Sequence, residues 1–264
     1  MASKGDKFRA EADSVIQSLT SGFTGMFGFG KAQKNEEAAD LYVKAGNAYK
    51  LENKWQAAGE AFVKAAKCHQ DSESSLEAIN DLVNAGNSFK KIDTTKAVSV
   101  FKKVIEKYNE TGRFGQSAKY HQEIAEMYET DGKSEDAASH YNDAAQLYIN
   151  ENKALSAQPC FLKIASIHAK DGHFIQAADI FERIARDCLQ SRLGAFSAKG
   201  YFFQSLICYL AAGDNVATRS KIDAFKSVDH QFPSSRECGF IEKLLEVSCL
   251  FVCWTISRGS TSKV

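Results

Sequence analysis

The chain has 264 residues and carries equal numbers of basic and acidic residues, 33 of each, so its formal net charge is zero. This balance predicts neither a nucleic-acid-binding protein nor an acidic tail, and any electrostatic function has to come from local clustering of charge. Apolar residues make up 44% of the chain, and there are only two prolines, Pro159 and Pro233. Because proline interrupts the hydrogen bonds of a helix interior, this scarcity favours a helical protein.

Two further features bear on the compartment. The N-terminus, MASKGDKFRAEAD, is too polar for a secretory signal peptide, and no apolar run approaches the roughly 20 residues of a membrane-spanning helix. The seven cysteines are scattered, without a CxxC pair or the Cys/His spacing of a zinc site. We therefore expect buried thiols in a reducing compartment, and a cytoplasmic protein that touches membranes only peripherally.

The first predicted element is a short amphipathic helix, from Phe8 to Leu19, in an N-terminal region of residues 1–20. A glycine-rich segment follows over residues 21–34, in which four glycines within ten residues argue against a helix. Exposed apolar side chains often mark a binding surface. Two interpretations stay open: this loop inserts into the bilayer interface, or it folds back onto the element that follows. The apolar residues concerned are Phe23, Met26, Phe27 and Phe29.

A repeated pattern extends over residues 35–235, and its first unit matches the aromatic and small positions of the tetratricopeptide signature. Four more units follow at a spacing of about 40 residues, against ~34 in the usual repeat, which predicts longer helices. Turns rich in Asn, Asp and Gly separate the two helices of a hairpin, at 52–54, 131–133, 171–173 and 213–215. The predicted fold is all-α, a right-handed superhelical stack of tetratricopeptide-like helical hairpins. The first-unit positions are Tyr42, Ala45, Gly46, Tyr49, Ala58, Phe62 and Ala65.

The chain offers little that could support catalysis. The segment Gly25–Lys31 faintly resembles a phosphate-binding loop, but its spacing is wrong and no Ser or Thr follows the lysine. No nucleophile elbow or metalloprotease motif occurs in the sequence. We therefore expect no enzyme, no metal site and no cofactor.

Basic residues recur at positions that commonly line the concave face of such repeats. Several positive charges on one face would suit a long acidic partner, whereas an ordinary solvated surface is the alternative interpretation. Lys50, Lys90, Lys119 and Lys199 occupy such positions; Lys91 lies beside Lys90, Lys163 lies one turn along the helix of the fourth unit, Arg113 lies in a turn before the third unit, and Arg236 follows the fifth unit.

Several stretches of the chain resemble the alpha- and beta-type soluble NSF-attachment proteins, over about residues 8–246. The stretches are SGFTGMFGFGK (21–31), AGNSFKKID (85–93), TGRF (111–114), AKYHQEIAEMYET (118–130), FSAKGYFF (196–203) and SSREC (234–238). This resemblance implies an adaptor that binds a syntaxin-type SNARE four-helix bundle and recruits the hexameric NSF ATPase in vesicle fusion and intracellular protein transport. It implies that the apolar loop touches the cytosolic face of vesicle, Golgi, vacuolar or plasma membranes. It also implies that seven of the basic residues face the SNARE bundle, namely Lys90, Lys91, Arg113, Lys119, Lys163, Lys199 and Arg236. The alternative is a tetratricopeptide co-chaperone that binds acidic peptides, which the longer repeat and the phenylalanine-rich loop disfavour.

The chain departs from the family pattern at two places. Pro159 stands where the family usually has a lysine that contacts SNAREs, and we expect a proline there only if it lies in the first turn of a helix. The pattern also stops after Lys243–Glu246, so we expect residues 236–264 to form a divergent, truncated segment without the acidic stretch by which the family stimulates NSF.

Overall fold

The computed structural model describes residues 3–21, 30–190 and 194–259, and within these residues every regular element is helical. The all-α prediction is therefore confirmed. By compactness the chain divides into two units, residues 1–127 and 128–264. In chain order the helices are α1 (Lys4–Ser21), α2 (Lys31–Leu51), α3 (Trp55–Asp71), α4 (Ser75–Phe89), α5 (Thr94–Glu110), α6 (Phe114–Thr130), α7 (Ser134–Asn150), α8 (Ala154–Lys170), α9 (Phe174–Leu189), α10 (Ala195–Ala211), α11 (Asn215–Val228) and α12 (Arg236–Gly259), with a 3₁₀ turn at Phe232–Ser234.

The helix ends follow the turn residues of the sequence. Four of the five hairpins have a three-residue turn with one residue in the left-handed backbone region, and Asn or Gly occupies it each time. These residues are Asn53, Gly132, Gly172 and Gly213. The turn between α4 and α5 has no left-handed residue, and there the side chain of Asp93 caps α5 by accepting a hydrogen bond from the Lys96 amide at 3.0 Å.

Glycines of the repeat lie where an aromatic ring presses against a helix backbone. A Cβ atom added at Gly46 would lie 2.8 Å from Cζ of Phe62, and one at Gly86 would lie 2.5 Å from Cε1 of Phe101. Both phenylalanines are completely buried. Small residues therefore mark close helix crossings within residues 1–127, where α2 packs on α3 and α4 on α5.

The N-terminal helix α1 packs on α2 through the two tyrosines of the first repeat. The Tyr42 hydroxyl donates a hydrogen bond to Oδ1 of Asp13 at 2.5 Å, and the Tyr49 hydroxyl donates one to Oδ1 of Asp6 at 2.7 Å. The two tyrosine rings are buried. These hydrogen bonds contribute to holding α1 against the first hairpin, an arrangement that the repeat pattern alone did not predict.

The core of the second unit extends through its last helix. Phe202 of α10 stacks on Phe225 of α11, with ring centroids 4.3 Å apart, and meets Phe232 of the 3₁₀ turn edge-on at 5.8 Å. Ile241 and Leu245, one turn apart on α12, are buried in the same cluster. The helix α12 is thus packed against α10 and α11 over its first turns.

The expectation for Pro159 is wrong. This proline lies inside α8, five residues after the helix begins at Ala154, which places it beyond the first turn. Its ring nitrogen cannot donate the usual hydrogen bond to the carbonyl four residues earlier, which belongs to Leu155. Leu155 is 84% exposed. Water can therefore reach this stretch of backbone, which lowers the cost of the missing bond.

Cysteine burial follows the expectation for structural thiols. Of the five cysteines whose side chains the structure describes, four are buried and Cys188 is half-buried. Burial raises the pKa of the Cys68 thiol to about 11, so this thiol is unreactive at neutral pH. The buried four are Cys68, Cys160, Cys208 and Cys238.

Candidate partner-binding surface

The seven basic residues predicted to bind a partner lie on, or at the ends of, the first helices of the hairpins and on α12. All are exposed except Lys199, which is half-buried. In chain order, Lys90 caps the C-terminus of α4, Lys91 follows in the turn, Arg113 precedes α6, Lys119 lies on α6, Lys163 on α8, Lys199 on α10, and Arg236 begins α12.

In the compact unit of residues 1–127, one of these lysines pairs with an acidic residue and a second lies one helical turn from that residue. Nζ of Lys90 lies 2.6 Å from Oε2 of Glu123, an ion pair that joins α4 to α6. Lys119 lies four residues before Glu123 on α6, so the two share one face of that helix. Lys90 and Glu123 thus form the ion pair, and Lys119 lies one helical turn before Glu123; we call these three residues the Glu123 cluster.

In the compact unit of residues 128–264, Lys163 likewise pairs with an acidic residue, Glu129. Oε2 of Glu129 lies 3.0 Å from Nζ of Lys163 and accepts a hydrogen bond from the Tyr141 hydroxyl at 3.1 Å, while Nζ of Lys170 lies 3.6 Å from Oε1. The hydrogen bond from Lys163 lowers the pKa of the Glu129 carboxyl, although partial burial opposes this. Glu129 is therefore ionised at neutral pH; we call these four residues the Glu129 cluster.

The other five basic residues are not neutralised in this way. Within residues 3–21, 30–190 and 194–259, none of these five side chains forms an ion pair. They are Lys91, Arg113, Lys119, Lys199 and Arg236. The predicted set thus comprises two lysines with acidic partners in the chain and five cations that are available to an external partner.

The sequence pattern found the lysines but missed the glutamates. Both acidic residues lie within the family-like stretch 118–130, and Glu123 follows Lys119 by the four residues of a helical turn. That spacing was the available signal for Glu123. The pairings with Lys90 and Lys163 join helices that are remote in sequence, so the repeat pattern could not reveal them.

The predicted membrane loop, with Phe23, Met26, Phe27 and Phe29, lies outside the described residues. Among the helices that the structure describes, none is both long enough and apolar enough to span a bilayer.

Comparison with known proteins identifies clear relatives. A family model described as soluble NSF attachment protein, SNAP, matches residues 3–249. An alpha-soluble NSF attachment protein of Homo sapiens is 37% identical over 238 residues, which cover 90% of this chain and 80% of that protein. The vesicular-fusion protein SEC17 of Komagataella phaffii is 32% identical over 247 residues, which cover 92% of this chain and 83% of that protein. Among solved structures, a signal-transduction ATPase with a tetratricopeptide-repeat sensor from Pyrococcus horikoshii is 12% identical, with a TM-score of 0.47 over 94% of this chain and 39% of that one.

Proposed function

The chain belongs to the soluble NSF attachment protein family, and we propose that it is a non-enzymatic adaptor that binds assembled SNARE bundles and recruits the NSF ATPase to disassemble them. The names of its relatives, attachment proteins for NSF and a vesicular-fusion protein, support this role. The observation that carries the proposal is the set of five basic side chains, four exposed and one half-buried, that form no ion pair within the described residues. Such cations, on α6, α10 and α12 and in the turns before α5 and α6, suit a long acidic partner such as a syntaxin-type SNARE four-helix bundle.

The proposed contact is mainly electrostatic. The side chains of Lys91, Arg113, Lys119 and Arg236 are exposed in the free protein, so their attraction to carboxylates is screened by salt. Binding should therefore weaken as ionic strength rises, and charge reversal should cost more affinity at low salt than at high salt.

Charge reversal at two of these positions tests the proposal. We expect Lys119→Glu with Lys199→Glu to weaken binding to an immobilised SNARE bundle by at least ten-fold at low salt, since each change replaces an attraction with a repulsion. Lys102 on α5 and Arg219 on α11 are exposed cations on the second helices of hairpins, and they provide the matched control. The variant Lys102→Glu with Arg219→Glu changes the net charge equally and should bind like the wild type.

Comparison of the affinities lost by the two double variants shows whether specific contacts or the net charge of the protein determine binding. Equal losses in both double variants would mean that only the overall charge matters, and the assignment of these residues would be wrong. A loss in the first variant that does not depend on salt would indicate misfolding, which its thermal unfolding curve would reveal.

The phenylalanine-rich loop completes the proposed role. With Phe23, Met26, Phe27 and Phe29 the loop would partition into the bilayer interface, and the adaptor would work as a cytoplasmic, peripheral protein beside membrane-anchored SNAREs. Burial of one such side chain is worth about 1.5–3 kcal/mol. Phe27→Ser with Phe29→Ser should therefore reduce liposome co-flotation strongly and leave the melting temperature unchanged. A matching loss of stability instead would mean that the loop packs against the protein.

A further inference from the structure

We propose that Glu123 and Glu129 are internal counter-ions that compete with the acidic partner for Lys90 and Lys163, and so set the affinity of the adaptor. This inference rests on the proposed function, because it concerns the residues that would meet the SNARE bundle. It adds Glu123 and Glu129 to that surface, as residues that weaken the binding of the acidic partner.

The first competition lies in the Glu123 cluster. Nζ of Lys90 is 2.6 Å from Glu123, a direct charge-assisted hydrogen bond. Both side chains are about a third exposed, at 38% and 30%. A partner carboxylate can therefore reach the ammonium group, but it has to displace Glu123 or approach beside its negative charge. Lys119, one turn away on the same face of α6, lies next to that same negative charge.

The second competition lies in the Glu129 cluster. The carboxylate of Glu129 is close to two ammonium groups, those of Lys163 and Lys170, and accepts a hydrogen bond from Tyr141. Three groups thus hold it in place, and its lowered pKa means that the negative charge persists through the neutral range. The side chain of Lys163 is 48% exposed, so it is available to a partner but partly neutralised.

Internal pairing of this kind can act on binding in two opposite ways. If the glutamates mainly mask the lysines, removing their charge strengthens binding to an acidic partner. If they mainly hold the lysines in the binding position, removing them weakens it. Exposed ion pairs contribute little to stability, since both side chains lose conformational freedom when they pair. The repulsion between a glutamate and the carboxylates of the partner opposes binding, and no loss of conformational freedom offsets it. We therefore expect the masking effect to be larger than the positioning effect.

Substitution by glutamine separates the two effects. Glu123→Gln and Glu129→Gln keep a side-chain oxygen that can accept the lysine hydrogen bond, and they remove only the negative charge. We expect each variant to bind the assembled SNARE bundle about two- to five-fold more tightly than the wild type at low salt. The double variant should show roughly the product of the two factors, because the residues belong to separate clusters. The increases in affinity of the single and double variants should become smaller as salt is added.

A matched control removes the same kind of ion pair elsewhere. Glu110 on α5 pairs with Lys107 at 2.8 Å, three residues earlier on the same helix. Glu110→Gln changes the net charge equally, and it should leave binding within experimental error of the wild type. Thermal unfolding of all variants should stay within a few degrees of the wild type, because the pairs are partly exposed.

The outcomes separate this inference from the proposed function. If the wild type does not bind the bundle, the proposed function fails and the inference fails with it. If the wild type binds and the glutamine variants bind equally or more weakly, the adaptor function stands and the masking role is overturned. A gain in Glu110→Gln as large as in the other two would also overturn it, since general charge would then explain the effect.

Discussion

A buried histidine–aspartate pair joins α3 to α4. Nδ1 of His69 lies 2.7 Å from Oδ2 of Asp81, and both side chains are less than a tenth exposed. Burial raises the pKa of the Asp81 carboxyl to about 6, and the hydrogen bond with His69 only partly offsets this. The negative charges of Asp40 and Glu77 add to the increase. The folded protein is therefore less stable with the Asp81 carboxyl ionised, as at neutral pH, than with it protonated.

The pH dependence of stability tests this pair. The pKa of Asp81 is higher in the folded protein than the ordinary value of 3.8, so its contribution to stability is fully present below about pH 3.8 and is lost as the pH rises through about 6. Asp81→Asn keeps the size and the hydrogen-bonding capacity of the side chain but cannot ionise. We expect the unfolding free energy of this variant, relative to the wild type, to rise by about 1–3 kcal/mol between pH 4 and pH 7.5. Urea unfolding at both pH values measures this, and a difference that does not change with pH would contradict it.

At the scale of one helix, Gly86 allows α4 to approach Phe101 of α5. A Cβ atom at this position would lie 2.5 Å from Cε1 of Phe101, which is fully buried and cannot easily move. Overpacking of this kind costs about 1–3 kcal/mol, more than the ~1 kcal/mol that alanine gains over glycine in a helix. We expect Gly86→Ala to lower the unfolding free energy by up to about 2 kcal/mol.

Gly200 on α10 provides the control for that prediction. It is also inside a helix, but no atom outside its own helix backbone and neighbours lies within 4 Å of where its Cβ would be. Gly200→Ala should therefore stabilise the protein by about 0.5–1 kcal/mol. If the two substitutions change the denaturation midpoint in the same direction, the close approach at Gly86 does not matter for stability.

Pro159 is the second feature at the scale of one helix. Its ring removes a hydrogen bond from the interior of α8, so Pro159→Ala should restore that bond. Alanine also gives the unfolded chain more freedom, which offsets part of the gain. We expect a net increase in unfolding free energy of about 1–2 kcal/mol, measured by urea denaturation.

The other proline supplies the comparison. Pro233 lies at the start of the 3₁₀ turn, where the missing N–H has no role in a helix. Pro233→Ala should lower stability by roughly 0.5–1 kcal/mol, because there only the effect on the unfolded chain remains. Stabilisation by both substitutions, or by neither, would contradict this account of Pro159.

Over the whole molecule, the parts of the structure that depend on local spacing were predictable from the sequence. The helices and their turns follow the positions of aromatic, small and turn residues, and Gly46 and Gly86 lie at close crossings. The family resemblance is likewise confirmed by the match over residues 3–249. The expectation for Pro159 was wrong because the rule that proline avoids helix interiors does not show how well a missing hydrogen bond can be solvated.

The interactions that join remote helices were not predictable. The docking of α1 through Asp6 and Asp13, and the ion pairs of Glu123 and Glu129, depend on how one helix packs on another. A repeat pattern fixes which face of each helix is buried, but it does not fix which exposed side chains meet across neighbouring hairpins. For the same reason, the seven basic residues could be placed on their helices, whereas the acidic residues beside two of them were missed.

The most direct test of the adaptor function is the retention of NSF on SNARE bundles. NSF, held in one nucleotide state by a non-hydrolysable ATP analogue, is passed over bead-bound assembled bundles with and without this chain. We predict that NSF is retained only when the chain is present, and that retention is lost with Lys119→Glu and Lys199→Glu but not with Lys102→Glu and Arg219→Glu. Retention of NSF that is independent of the chain, or bundle-bound chain that retains no NSF, would contradict the account.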